Sequence, residues 1–382
     1  MTAGRAAPPS RGTGGFAVTA LVALASGALF EWIGLPIPWL LGPMIGVWLA
    51  SRGLQSALPS LRLSWPVSLR NAGLILVGYT IGLSFTSDTV REMASQLPSM
   101  ALLTLLLLLL SVLIASGIAR WAGIPFPTAL TGSIPGGLSQ MVALAEETKG
   151  IDVTVVAFLQ VSRLMLIVVC VPLLIFGPIF GGAHAEPWQP LAGESGSGSW
   201  TSLFPDVLPY ALACTVGALI GKRINFPTAF LLAPLLAAAA LHLAGLPGPS
   251  LPVQVVDAAQ LMIGSHVGLL LKPEKLPNKT RLVALSLAGG VVLIVGACGL
   301  SYLMTRLHPV SGSTALLSLA PGGMDQMGIV AHEIGADVPT VTGYQLFRTF
   351  FIFFAVPALL RRFFGKLPDT VLRDPPSPKR RG

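Results

Sequence analysis

A fourteen-residue stretch that occurs twice constrains this chain more than anything else in it. Thr128-Ala129-Leu130-Thr131-Gly132-Ser133-Ile134-Pro135-Gly136-Gly137-Leu138-Ser139-Gln140-Met141 returns, 186 residues later, as Thr314-Ala315-Leu316-Leu317-Ser318-Leu319-Ala320-Pro321-Gly322-Gly323-Met324-Asp325-Gln326-Met327. Proline removes a backbone donor and clashes with the preceding turn, so each copy reads as an apolar helix broken at Pro-Gly-Gly. A second pair follows, in which Asp152, Gln160 and Arg163 recur as Asp337, Gln345 and Arg348. The chain is therefore a duplication with a broken helix in each half.

The medium it folds in follows from composition. Only 10% of the 382 residues are charged and 53% are hydrophobic, whereas a soluble globule carries about a quarter charged residues. Windows such as 16–35, 100–118 and 155–180 approach the ~20 apolar residues that cross a hydrocarbon core. The expected fold is all-α and polytopic. A net charge of +8 would suggest nucleic acid in a soluble protein. Here the basic residues sit in short loops and the C-terminal tail, where they set topology and meet anionic headgroups. The bilayer is the expected partner, and nucleic acid is not. Cys170, Cys214 and Cys298 lie inside apolar runs without paired spacing and read as small core residues,.

The organisation expected is an N-terminal segment 1–15 rich in Gly, Pro and Arg and disordered, a first membrane repeat 16–180, a linker 181–202, a second repeat 203–365 and a basic tail 366–382. Arg5 and Arg11 ahead of Ala23-Leu24-Ala25 also fit a cleaved signal peptide. The counterpart of that run at 203–220 argues against removal. Pro36 to Ile45 matches Pro227 to Leu236, and the span from Val67, with Gly78 and Gly82, matches the span from Val253, with Gly264 and Gly268. Glycines four apart let helices approach closely, either inside the chain or in a homodimer. Residues 86–98 read as a polar connector.

Charge placement discriminates parallel from inverted repeats. If each Pro-Gly-Gly segment is a re-entrant hairpin, each half has five true spans, and a cytoplasmic N-terminus puts twenty basic residues inside against Arg91 and Arg306 outside. If every segment crosses, the linker, which has no Lys or Arg, falls inside and Lys222, Arg223 and the 272–281 cluster fall outside. The positive-inside bias favours five plus five, and an odd span count inverts the second repeat. The expected location is the bacterial inner membrane, with both termini cytoplasmic and the linker periplasmic.

The chemistry sits in the repeated motifs. Arg163 lies eleven residues beyond Asp152, or about 16 Å along a helix, near the middle of a ~30 Å core, and Arg348 reaches the same depth from Asp337. A charge there costs at least about 2.5 kcal/mol, so it faces a cavity or a partner. Gln160 and Gln345, three residues earlier, share its helix face. The arginines are anion contacts on one reading and ties for carbonyls freed by the broken helix on the other. Gly136, Gly137, Gly322 and Gly323 offer non-helical backbone, viable at that depth only beside a cavity or buried in protein. The helices restarting after them present free N–H groups to an anion. Gln140 and Gln326 stand next in both copies. The copies differ at Ser139 against Asp325, and Asp325 is a candidate proton or cation coupling acid or, equally, a cap for its half-helix. No histidine pair has metal-ligand spacing, and no nucleotide loop or nucleophile elbow occurs. Neither catalytic residues, a metal nor a cofactor is expected.

The two Pro-Gly-Gly segments, the two Gln-x-x-Arg helices and Trp39-Leu40-Leu41-Gly42-Pro43 with its repeat together resemble the bacterial AbrB membrane-protein family, over about residues 18–365. That resemblance implies an inner-membrane protein with a duplicated domain. Members are often labelled ammonia monooxygenase or regulator of gene expression. The first label implies copper, for which no histidine cluster is present, and the name is shared with small DNA-binding regulators whose domain is absent here. The residues favour a secondary transporter or exporter of a small anionic solute over a membrane sensor that alters gene expression, and either over an enzyme.

Overall fold

The structure, a computed structural model of the full chain, describes residues 13–35, 37–57, 63–148, 150–176, 200, 203–224, 226, 228–246, 248–270 and 279–364. The tail 366–382 lies outside these residues, as do the N-terminal segment and the linker except for residues 13–15 and Trp200. Residues 13–15, expected to be disordered, already belong to the first helix.

Every regular element among the described residues is an α-helix. The first half runs α1 (Thr13–Ile33), α2 (Pro38–Ala57), α3 (Val67–Leu83), α4 (Ser87–Ser95), α5 (Leu97–Ala122), α6 (Phe126–Ser133), α7 (Leu138–Glu147) and α8 (Val153–Phe176). The second runs α9 (Val207–Arg223), α10 (Ala229–Leu243), α11 (Val253–Gly268), α12 (Lys279–Leu307), α13 (Gly312–Leu319), α14 (Met324–Glu333) and α15 (Val338–Phe364). The order repeats helix for helix apart from α4, which occupies the stretch read as a polar connector. It forms because Thr86 and Thr89 cap each other reciprocally, satisfying the free donors of a first turn,.

By length and hydropathy α1, α5, α8 and α12 can each cross a membrane alone, and α3 with α4, bent by 89° at their junction, would make a fifth. The ten crossings expected from charge placement exceed that number. The cause is partly length, since α9, α10 and α11 have 17, 15 and 16 residues, or roughly 22–26 Å. It is partly polarity, since α3, α11 and α15 carry Arg70, Asp257 and Arg348. The outward surface is apolar on the perimeter helices. Leu21 and Trp32 on α1, Leu105 and Leu113 on α5, Leu212 on α9 and Val295 on α12 are all exposed. So much contiguous exposed hydrocarbon suits lipid.

The helices sort into two bundles, each drawing equivalent members from both halves. In one, α2 packs on α11 and α3 on α10, with α1 and α9 outside; in the other, α5 and α12 flank the broken segments, α8 and α15. Close approach in the first bundle depends on glycine. A Cβ at Gly78 would lie 2.5 Å from the Leu231 carbonyl oxygen and one at Gly82 would lie 2.6 Å from that of Leu235. Gly264 meets the Leu40 carbonyl in the same way, and a Cβ at Gly268 would lie 2.5 Å from the Met44 oxygen. The paired glycines are thus used inside the chain, across the two halves.

Gly264→Ala is expected to lower stability by about 1–3 kcal/mol by overpacking this contact. Gly299→Ala on α12, where an added methyl meets nothing within 4 Å, should be neutral or slightly stabilising. Thermal melts of the detergent-purified variants check the pair; equal melts would contradict the packing described.

Candidate functional site

The site begins where the helices stop. Ile134 precedes Pro135 and is extended (φ −64°, ψ 130°), which ends α6, and Ala320 ends α13 in the same way (φ −54°, ψ 125°),. The carbonyls of the last turn of each half-helix then lack partners. Gln160 on α8 donates through Nε2 to the Thr131 and Ile134 oxygens, both at 2.9 Å. Gln345 on α15 donates to Leu317 at 2.7 Å and Ala320 at 3.1 Å. Arg163 Nη1 donates to Ser133 and Ile134, both at 3.0 Å, and Arg348 Nη1 donates to Leu319 at 3.4 Å and Ala320 at 3.0 Å. Arg348 Nη2 adds the Gly322 carbonyl at 3.3 Å. Each arginine also donates Nη2 to the Oε1 of the glutamine one turn back. Thr128 and Thr314 close the other ends by accepting from the Asp152 and Asp337 amides at 3.1 and 3.2 Å.

These ties are buried. Arg163 is 7% exposed, Arg348 4%, Gln160 2% and Gln345 fully enclosed. The arginines therefore satisfy the carbonyls freed by the break. They also face a common space. A cavity of about 480 Å³ lies where the two bundles meet, and both Pro-Gly-Gly turns, Arg163, Arg348 and Gln160 reach its wall. Gln345 does not line it and acts through Arg348. The side chain of Gln140 lies outside the described residues.

Two helices start at this wall. α7 and α14 follow Gly137 and Gly323, neither of which supplies a side-chain cap; the Asp325 carboxylate turns back on the N–H groups of its own residue and Gln326, while Gly137 brings the start of α7 to the wall,. A Cβ at Gly323 would displace the Gln326 side-chain amide and lie 2.5 Å from Asp325 Oδ1, so a larger residue there would move both side chains. Asp325 and Gln326 both line the cavity. Asp325 stands in the first turn of α14 rather than at its cap, accepting from Gln326 Nε2 at 3.0 Å. Two buried polar atoms on this wall lack partners among the described residues, Arg163 Nε and Gln326 Oε1.

The first bundle supplies the facing wall and with it residues the sequence did not single out. Arg70 and Leu74 come from α3, Thr228 and Phe230 from the start of α10, and His266 from the end of α11. Thr228 holds a left-handed backbone (φ 43°), as does its repeat counterpart Ile37 (φ 51°). β-Branched residues adopt that conformation only at a cost of about 1–3 kcal/mol. In charge, three arginines face one acid. Arg163 and Arg348 are close enough to repel each other, and Asp325 feels the attraction of Arg70.

The duplicated frame makes the cavity informative. Its residues Arg70, His266 and Val267 have repeat counterparts 186 positions away at Val256, Thr80 and Ile81. Those counterparts line a pocket of only about 20 Å³. There Ile81 fills the notch left by Gly328, and Gln260 Nε2 donates to Glu333 Oε1 at 2.8 Å. The space beside Arg70 and His266 is thus large, and the one beside their counterparts is filled. A signal for the missed residues was present in the sequence. Arg70 against Val256, His266 against Thr80 and Asp325 against Ser139 are positions where the copies differ in chemistry, and all three converge on the open cavity.

Comparison with known proteins follows the same outline. The family model described as "Transition state regulatory protein AbrB" matches residues 50–364. A relative from Escherichia coli (strain K12) with the name "Putative regulator AbrB" is 28% identical over 336 residues, covering 86% of this chain and 90% of the relative. "Uncharacterized protein YhjN" of Bacillus subtilis (strain 168) is 22% identical over 362 residues, covering 89% of this chain and 91% of its own.

Arg348→Met leaves the Leu319 and Gly322 carbonyls without a donor, a loss of about 3 kcal/mol. Gln345→Leu should cost a similar amount, and the double variant less than their sum, because both side chains serve the same turn. Melting of the three proteins in detergent measures this; an Arg348→Met variant as stable as its parent would remove the tie from the account.

Proposed function

The chain belongs to the AbrB family, and from that premise we propose that it is a secondary transporter or exporter of a small anionic solute in the bacterial inner membrane, with both termini cytoplasmic. The observation that carries the proposal is that the cavity beside Arg70 and His266 is large while the space beside their repeat counterparts Val256 and Thr80 is filled. Alternating access needs two such spaces exchanged by rocking one bundle against the other around a fixed site. Inverted repeats, with the Pro-Gly-Gly segments as re-entrant hairpins, make the two spaces face opposite sides of the membrane. The distribution of basic residues, twenty on one side against two on the other, supports that orientation,.

Within this mechanism the cavity attracts an anion through uncompensated arginine charge and the uncapped start of α7 at Gly137,. Gly136, Gly137, Gly322 and Gly323 bring backbone to the solute, and Gln326 offers a free oxygen. Asp325, held in the field of Arg70, is the coupling acid. It binds a proton or cation in step with the anion, so neither crosses alone. The role proposed is binding and translocation, not catalysis. Among the described residues the cavity wall carries no nucleophile hydrogen-bonded to a base.

A second reading is a membrane sensor that uses the same cavity and alters gene expression through a partner at the basic tail 366–382. The regulator names of the family model and of the Escherichia coli relative favour it.

Purified protein in proteoliposomes should catalyse saturable flux of at least one anion from a panel of inorganic and organic acids. Asp325→Asn is expected to reduce flux driven by a pH gradient at least tenfold while leaving anion exchange in place. A parent protein that moves no anion, yet whose deletion changes transcription in the cell, would favour the sensor.

A further inference from the structure

Arg70 is the cavity cation whose hydrogen bonds are unspent. Arg163 and Arg348 commit their Nη groups to half-helix carbonyls and to Gln160 and Gln345, so neither has a pair of Nη donors left to present as a fork. Arg70, in the first turn of α3, lines the same cavity and makes no hydrogen bond or ion pair among the described residues. A free guanidinium is a planar fork of N–H donors that matches a carboxylate two bonds at a time. The buried arginines can raise the local positive field, but they cannot offer that fork.

The rest of the wall says what the carboxylate is attached to. Leu74, Phe226, Phe230 and Leu270 line the cavity along with the charged groups. An inorganic oxyanion has acceptor oxygens on every side and loses hydration wherever it faces hydrocarbon, at a cost of several kcal/mol for an unpaired charge. The space, about 480 Å³, would hold roughly sixteen waters at their liquid volume and falls in the range of pockets for organic ligands. A bare ion would leave most of it filled with water against phenyl rings.

We infer that the solute is an organic carboxylate with an apolar body, its head paired with Arg70 and its body against Phe226 and Phe230. The consequence for flux rests on the transport reading; the binding itself does not. Arg70 is then a substrate contact that discriminates carboxylates from neutral analogues, and Phe230 discriminates organic from inorganic anions.

The test is binding to the full chain in lipid nanodiscs, by calorimetry, with benzoate, hexanoate, benzamide and sulfate as probes at up to millimolar concentration. Benzoate and hexanoate are expected to bind, with benzamide and sulfate at least tenfold weaker. Arg70→Gln should weaken benzoate at least tenfold while the unliganded melting temperature stays unchanged, and Arg70→Lys should fall between. Phe230→Ala should weaken the two organic acids and leave sulfate where it was. The inference is overturned by failure of both organic acids to bind, by sulfate binding as tightly as benzoate, or by Arg70→Gln binding benzoate like the parent. Proteoliposome flux separates it from the transport reading. Arg70-dependent benzoate binding without benzoate flux would sink transport and leave the site standing. Sulfate flux without benzoate binding would do the reverse.

Discussion

The hydrogen bonds from one Gln-Arg pair to one broken half-helix are the interaction on which everything else depends. Four carbonyls at a helix end are tolerable in water and costly inside hydrocarbon, so a proline break within an apolar segment needs a donor set brought from elsewhere. α8 and α15 supply it twice, with the same two side chains in the same register. Once the carbonyl end is satisfied in this way, the other end of the break differs between the copies: Asp325 covers the first amides of α14, and α7 starts at Gly137 without a side-chain cap. The arginine thus holds the break open, and the glycines after it keep side chains out of the gap.

Duplication then sets the geometry. Because the two halves exchange partners, α2 with α11 and α3 with α10, each bundle is a composite of both repeats and the cavity lies at their seam. A frame of this kind has two equivalent seams, and close packing does not allow both to be open at once without losing the contacts that join the bundles. Filling the Gly328 notch with Ile81 and pairing Gln260 with Glu333 shuts one. On the transport proposal, opening that side and closing the Arg70 side is the same motion with the repeats interchanged, and an approximate internal symmetry is what such a motion needs.

Much of this was legible in the chain. The Pro-Gly-Gly breaks, the Gln-x-x-Arg helices and the apolar composition each state a local physical requirement, and the helices form where those requirements put them. Arg70 and His266 were not, for a stated reason. Read along the sequence, Arg70 is one more basic residue near a helix start and His266 a histidine without company. Only packing of α3 and α11 against the second bundle brings them beside Asp325. The 86–98 stretch is polar and connects α3 to α5 as read, and its helical conformation over Ser87–Ser95 rests on a cap made by two threonines. The ten crossings expected from the charge pattern exceed the four or five that length and hydropathy identify among the described residues, since short helices and helices that carry polar residues lose the hydropathy by which a span is recognised.

The central claim is that Thr80 and His266, counterparts in the two repeats, sit on pathways to opposite faces of the membrane. The direct measurement replaces Cys170, Cys214 and Cys298 by serine, introduces Thr80→Cys or His266→Cys, and labels right-side-out and inverted vesicles with a membrane-impermeant thiol reagent. The account predicts that the two cysteines label from opposite faces, the one at 266 more readily in the resting protein. Labelling of both from the same face would contradict inverted repeats and, with them, alternating access around this cavity.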